Sequence, residues 1–319
     1  MSEPASLEWE HISAARARLV GRVRRTPVLT SASLDTLSGA HLFFKCEMFQ
    51  NAGAFKARGA TNAIFALEDT RARHGVVTHS SGNHAAALAR AAALRGIAAH
   101  VVMPRNAARA KRAAAERYGA RIQLCEPTLA DRERAAEELR AATGATLVHP
   151  YDDLQVMAGQ ATAAVELLEE VGALDLLLCP VGGGGLLGGS AVAAHTLQPA
   201  LRVFGAEPAG ADDAARSLRA GHILPSEHPQ TIADGLRSSL GVRPFAVIRR
   251  CVSDIVTVSD VEIIAAMREL WEILKVLAEP SAAVPYAAVR AGRVPARGAR
   301  VGIILSGGNL DLERLPWQA

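Results

Sequence analysis

From residue 76 onward, short apolar runs alternate with alanine-rich runs of helical length, and this alternation constrains the chain more than any other feature. Val76-Val77-Thr78 precedes a helix through residues 85–94, and residues 98–102 precede one near 108–118 that stops at Gly119. Residues 122–125 precede a helix near 130–142, and Leu147-Val148 precedes one near 156–171. Residues 176–181 lead into a glycine run and a further helix, residues 203–206 into more helix, and residues 301–305 close the series. Parallel strands need a crossover between them, and a helix of this length is the usual one. The pattern therefore predicts an α/β fold of parallel-rich sheets covered on both faces by helices. There is no internal repeat and no low-complexity linker. With 319 residues, half of them hydrophobic, the chain is long enough for two such lobes.

Charge and composition exclude several classes of function. The formal net charge is only +3, and the arginines are interspersed with acids, so nucleic acid is not expected as a partner. The longest uncharged stretch, residues 176–201 with His195 counted as neutral, is broken by Pro180 and the glycine run, so it cannot span a bilayer as a regular helix. The first residues, Met1-Ser2-Glu3-Pro4, have no basic, apolar character of a signal peptide. Cys46, Cys125, Cys179 and Cys251 lie far apart and form no C-x-x-C pair, as expected of thiols in a reducing compartment, the cytoplasm.

Five segments carry chemistry. Gly182-Gly183-Gly184-Gly185 follows an apolar strand and opens a helix, so bare N–H groups and the helix dipole would converge on an anion. A dinucleotide fold competes here: Gly183, Gly185 and Gly188 fit G-x-G-x-x-G, and Glu207 ends the next strand about 20 residues on, as a ribose-binding acid would. Lys56 lies in Asn51-Ala52-Gly53-Ala54-Phe55-Lys56-Ala57-Arg58-Gly59-Ala60, among small and apolar residues that would lower its pKa and favour a nucleophilic neutral amine. A solvated surface lysine is the plain alternative. Ser80-Ser81-Gly82-Asn83-His84 ends one strand and starts a helix. It reads either as a simple cap or as a donor set for a carboxylate and a ring oxygen. Ser306-Gly307-Gly308-Asn309 ends the last strand as a turn or as a ligand contact. Glu207-Pro208-Ala209-Gly210-Ala211-Asp212-Asp213 is an acidic turn that could complement a helix dipole or hold a hard cation.

An amine, a polar clamp and an anion cradle are what pyridoxal phosphate requires. In this order the segments resemble those of the fold-type II pyridoxal-phosphate enzymes, and within them the serine racemase and serine/threonine dehydratase family. The likeness runs from Arg25-Thr26-Pro27-Val28-Leu29 to Ser306-Gly307-Gly308-Asn309-Leu310-Asp311. It includes Ala158-Gly159-Gln160, Thr231-Ile232-Ala233-Asp234-Gly235 with Ser238-Ser239-Leu240-Gly241, and Glu279-Pro280-Ser281. It also leaves the dinucleotide alternative without work for Lys56, Asn83 or Ser306.

The resemblance implies a role for each matching residue. Lys56 would hold the cofactor as a Schiff base and later move the Cα proton. Phe55 would pack on the ring, Gly182, Gly183, Gly184 and Gly185 would cradle the phosphate, Asn83 would bond the ring hydroxyl and Ser306 the pyridine nitrogen. Ser80, Ser81, Asn83 and His84 would hold the substrate carboxylate, with Ser81 also a catalytic group on the opposite face of Cα. Arg132 and Ser239 would face the substrate. Glu207, Asp213 and the carbonyl of Ala211 would bind magnesium, calcium or manganese. The implied activity is loss of the β-hydroxyl from L-threonine or L-serine to give a 2-oxo acid and ammonia. Serine racemisation and threo-3-hydroxyaspartate dehydration are the alternatives. The implied architecture is a large domain from 1–68 and 153–319 and a small domain from 69–152, in a homodimer. Asn51 and Ala52 replace the Lys-Thr pair with which animal racemases bind ATP, and only eight residues follow Asp311, so neither nucleotide activation nor a C-terminal regulatory domain is expected.

Overall fold

The computed structural model describes residues 6–80, 82–107 and 109–318, with the side chains of all of these except 109–111 and 129. Two sheets organise the chain. Strands β1 (Val28–Leu29), β2 (His41–Cys46), β7 (Leu176–Pro180), β8 (Arg202–Pro208), β9 (Asp254–Val258) and β10 (Arg300–Leu305) form one, in the order β1-β2-β10-β7-β8-β9. Strands β3 (Val76–His79), β4 (Ala99–Pro104), β5 (Arg121–Cys125) and β6 (Thr146–Leu147) form the other, in the order β5-β4-β3-β6. Every pairing is parallel except β1 with β2. The second sheet is drawn wholly from residues 76–147, whereas the first uses both ends of the chain.

The apolar runs become central strands because both faces of each sheet are covered: β7 and β3 are buried along their whole length. Three strands lie outside those runs. In β2 the charge of Lys45 interrupts the apolar pattern, yet Lys45 is fully buried. Its ammonium lies 2.7 Å from Glu166 and donates to the Thr26 carbonyl at 2.6 Å. β1 has two residues, both half-buried, and β9 mixes exposed with buried positions.

Two helices position the site. The helix Lys56–Ala66 crosses the helix Leu154–Val171 at glycines: a Cβ on Gly159 would lie 2.6 Å from the Cα of Gly59, so only hydrogen allows the approach. Gln160 seals the crossing by accepting the Gly59 N–H at 3.1 Å. Beside it Arg58, fully buried, forks onto Glu47 through two bonds of 2.7 Å and onto Glu166 at 2.6 and 2.8 Å. Among the described residues no helix is long and apolar enough to cross a membrane.

Candidate active site

Lys56 is the first residue of its helix, where the chain leaves a loop stitched to the end of β10. Phe55 donates its N–H to the Ser306 carbonyl at 2.9 Å, Ala54 pairs with Gly307, and Gly308 donates to the Gly53 carbonyl at 3.0 Å. Gly53 has φ +71, and a Cβ there would strike the Asn309 side chain at 2.4 Å, so glycine is required on both counts. The Lys56 amine donates to the Pro150 carbonyl at 2.8 Å and sits 5.1 Å from the centre of the Phe55 ring. Burial lowers its pKa to about 8, because desolvation disfavours an ammonium. A substantial neutral fraction at mild pH is what a carbonyl-capturing amine needs.

The glycine run is buried between three walls. A Cβ on Gly183 would fall 2.1–2.3 Å from the Tyr151 ring, one on Gly182 would meet the Gly235 carbonyl and Ser238 Oγ at 3.1 and 3.2 Å, and one on Gly184 would meet Leu240 at 2.7 Å. Gly184 also has φ +84 and caps the helix Gly185–Leu197. No side chain fits, which leaves the backbone N–H groups at a helix N-terminus as the chemistry of this cleft. That donor set suits a phosphate.

At the end of β3, Ser80 donates its N–H to Val102 at 3.1 Å, and its hydroxyl accepts from Gly82 at 3.3 Å. Ser81 lies outside the described residues. Asn83 opens the next helix. Its amide donates to Glu279 at 2.7 Å and accepts from Asn309 at 2.9 Å. His84, beside Asn83, is 2% exposed. Burial, chiefly, and then the nearby Lys56 charge push its pKa well down. The neutral ring spends its one donor, Nε2–H, on the Val148 carbonyl at 3.4 Å. Nδ1 is buried with no partner among the described residues. The ring therefore has no donor for a substrate carboxylate. Only the backbone N–H of His84, in the first turn of its helix, can serve.

Ser306 is 2% exposed at the end of β10. The Ser239 hydroxyl accepts from Ser226 N–H at 2.9 Å, and it is Ser238 that lines the Gly182 wall. Arg132, on the helix Leu129–Thr143, makes a long 3.4 Å contact to the Thr128 carbonyl and has no carboxylate partner among the described residues. Its charge reaches into the site. His79 is held at about 4 first by burial and then by Arg132, and Tyr151 is pushed up to about 12 by burial, against which Arg132 pulls.

Sequence reasoning passed over the connection from 148 to 153. Pro150 meets Lys56, Tyr151 covers Gly183, and His149 stacks edge-on between His79 and Tyr151 at 5.3 and 4.6 Å. Asp152 accepts the Val242 and Arg243 N–H groups at 3.1 and 3.0 Å, capping the distant helix Val242–Cys251 from outside. No pattern marks this segment except its place after β6. Glu279 was visible in its motif but carried no role.

Glu207 and Asp213 are both fully buried. Glu207 accepts the Ala214 and Ala215 N–H groups at 3.1 and 2.8 Å, and Asp213 accepts that of Leu240 at 3.1 Å. Burial, chiefly, raises both, Glu207 well above the ordinary range and Asp213 to about 6. Asp213 Oδ1 has no partner among the described residues. Two buried carboxylates with an orphaned oxygen fit a hard cation. Among the described residues no group of three or more His, Cys, Asp or Glu side chains is arranged to hold a metal ion, so carbonyls and water would complete the shell.

A two-sheet α/β fold with a desolvated lysine amine, joined through Pro150-Tyr151 to a glycine-lined anion cradle, defines a pyridoxal-phosphate site. Comparison with known proteins agrees. The family described as pyridoxal-phosphate dependent enzyme matches residues 20–307, and the chain belongs to it, in the fold-type II class. It is 49% identical to the beta-hydroxyaspartate dehydratase of Paracoccus denitrificans, over 97% of this chain and 98% of that protein. It is 48% identical to a serine racemase of Oryza sativa subsp. indica, over 97% and 92%. The structure of maize serine racemase superposes with a TM-score of 0.95 at 46% identity, covering 98% of this chain and 97% of that one.

Proposed function

We propose that this enzyme eliminates water from the β-carbon of hydroxy amino acids such as L-threonine, L-serine or threo-3-hydroxyaspartate, releasing a 2-oxo acid and ammonia. The observation that carries this is the half-buried, desolvated Lys56 amine, held on the Pro150 carbonyl next to Tyr151, which walls the glycine cradle, at the start of a helix stitched to the Ser306 loop. The relatives named above support it, being a dehydratase and racemases of this kind. Pyridoxal phosphate, when bound, supplies an aldehyde that condenses with amines and a ring that spreads the electron pair left on Cα.

The chain's own residues would do the rest. Gly182 to Gly185 would hold the phosphate, Phe55 would pack on the ring, Asn83 would donate to the ring oxygen, and Lys56 would take the Cα proton. Ser80 and the backbone N–H groups of Asn83 and His84 would orient the carboxylate, with Ser81 on the opposite face. Ser306 would meet the pyridine nitrogen as a neutral hydroxyl. It cannot hold that nitrogen protonated as a carboxylate would, so loss of the β-hydroxyl is favoured over a long-lived carbanion. Return of a proton by Ser81 would instead racemise serine. Glu207, Asp213 and Ala211 would hold a divalent cation such as magnesium. Residues 69–152 would form the small domain that closes on substrate. A cytoplasmic homodimer follows from the resemblance, and light scattering tests its dimeric state.

Arg132 favours hydroxyaspartate among the substrates. A guanidinium with no carboxylate partner among the described residues, whose charge is felt at His79 and Tyr151, suits a second carboxylate. The test compares oxo-acid formation from L-serine, L-threonine and L-threo-3-hydroxyaspartate, with D-serine measured alongside. Arg132→Ala should cut kcat/KM for hydroxyaspartate by about 100-fold and leave L-serine within about threefold. Equal losses for both substrates would refute the assignment of Arg132. Absence of oxo acid would refute the lyase reading itself.

A further inference from the structure

Asn83 is a weak choice for a directional contact unless something decides which end of its amide faces the cofactor, because a primary amide can turn over and present either a donor or an acceptor. In this chain two independent anchors make that decision. Asn309 donates through Nδ2 to the Ala52 carbonyl at 2.8 Å, and a carbonyl can only accept, so the orientation of Asn309 is set. The same Nδ2 donates to Asn83 Oδ1 at 2.9 Å. On the other side, Asn83 Nδ2 donates to Glu279 Oε1 at 2.7 Å. Glu279 is 3% exposed and is itself tied to the loop after β10 by its N–H, which donates to Gly307 at 3.0 Å. A Cβ on Gly307 would lie 2.6 Å from Glu279 Oε1, so that glycine is what lets the carboxylate lie where it does.

We propose that Glu279 and Asn309 are positioning residues that lock the Asn83 amide with its N–H toward the cofactor's ring oxygen. An amide nitrogen carries two hydrogens. One goes to the Glu279 carboxylate, and the second is offered to the ring oxygen as it develops negative charge. Turning the amide would set its carbonyl against the Glu279 carboxylate and its NH2 against the Asn309 NH2, losing both bonds and adding two repulsions. This rests on the reading that Asn83 meets the ring hydroxyl.

The experiment measures binding of two probes to the full-length protein freed of cofactor: pyridoxal phosphate, and 3-deoxypyridoxal phosphate, which lacks the ring oxygen. Asn83→Ala, Glu279→Ala, Glu279→Gln and Asn309→Ala are compared with the unchanged chain, and the visible-to-near-ultraviolet absorbance ratio of each loaded protein is recorded. Glu279→Ala should weaken pyridoxal phosphate binding about tenfold and leave the deoxy analogue within about twofold. Glu279→Gln, which keeps an acceptor, should recover most of that loss. Asn309→Ala should repeat the pattern while sparing the Glu279 backbone bond. The absorbance ratio should move in the same direction in Asn83→Ala, Glu279→Ala and Asn309→Ala. Equal weakening of both probes in the Glu279 variants would mean a merely structural role and overturn the proposal. Hydroxyl-dependent loss in Asn83→Ala alone would also overturn it, leaving Asn83 in place. No hydroxyl-dependent loss even in Asn83→Ala would overturn the reading on which it rests.

Discussion

Replacing Gly159 by alanine tests how tightly the lysine is held by packing far from any ligand. The new Cβ would lie 2.6 Å from Gly59 Cα and 2.7 Å from the Arg58 carbonyl, where ordinary contact begins at 3.4 Å. Both obstacles are backbone, so no rotamer change can absorb the conflict, and the two helices must part by about 0.8 Å. Alanine is the better helix former by about 1 kcal/mol, whereas overpacking costs about 1–3 kcal/mol. A net loss of up to about 2 kcal/mol follows. The functional effect should be larger. Lys56 stands one turn before Gly59 on the same helix, and an ångström of misplacement can cost about 100-fold in rate. Oxo-acid formation at saturating cofactor should fall about 10- to 100-fold, with a modest drop in melting temperature. Turnover within about twofold of the unchanged enzyme, in a protein that melts within about a degree of it, would refute the argument.

Gly183→Ala should abolish tight cofactor binding by driving a methyl into the Tyr151 ring, which lies 2.1–2.3 Å from the added Cβ. Adding Tyr151→Ala should restore part of that binding in a fluorescence titration, because the space returns. The rate at which cofactor-free protein captures pyridoxal phosphate should rise about tenfold per pH unit below the Lys56 pKa and level off above it. With that pKa at about 8 rather than the ordinary 10.5, stopped-flow mixing should find the bend near pH 8. For folding, the same difference means that the unfolded chain binds the proton more tightly. The cost of the buried ammonium is thus present at neutral pH and is relieved as pH rises between about 8 and 10.5. Magnesium should raise the melting temperature of the unchanged protein, and Asp213→Asn should remove that rise, since the orphaned Oδ1 then loses its charge. An undiminished rise would exclude Asp213 as a ligand.

The sequence alone determined the kind of fold and the polar ends of its elements, because those signals are local. The runs that became β3, β4, β7, β8 and β10 are legible within a few residues, since a strand buried on both faces is mostly apolar. A glycine run between strand and helix announces an anion site for the same local reason. What the sequence could not determine lies across the chain. Glu279 meets Asn83 over 196 residues, and Lys56 meets Pro150 over 94. The buried ion group of Lys45, Glu47, Arg58 and Glu166 hid β2, because a charge reads as exposed until its partner is known. The same holds for His84, whose residue type suggested a donor. Only its hydrogen bond to the Val148 carbonyl, 64 residues away, shows the donor already spent. Tertiary structure decided these points because a side chain's chemistry is set by which neighbours satisfy its polar atoms, and here those neighbours come from distant parts of the chain.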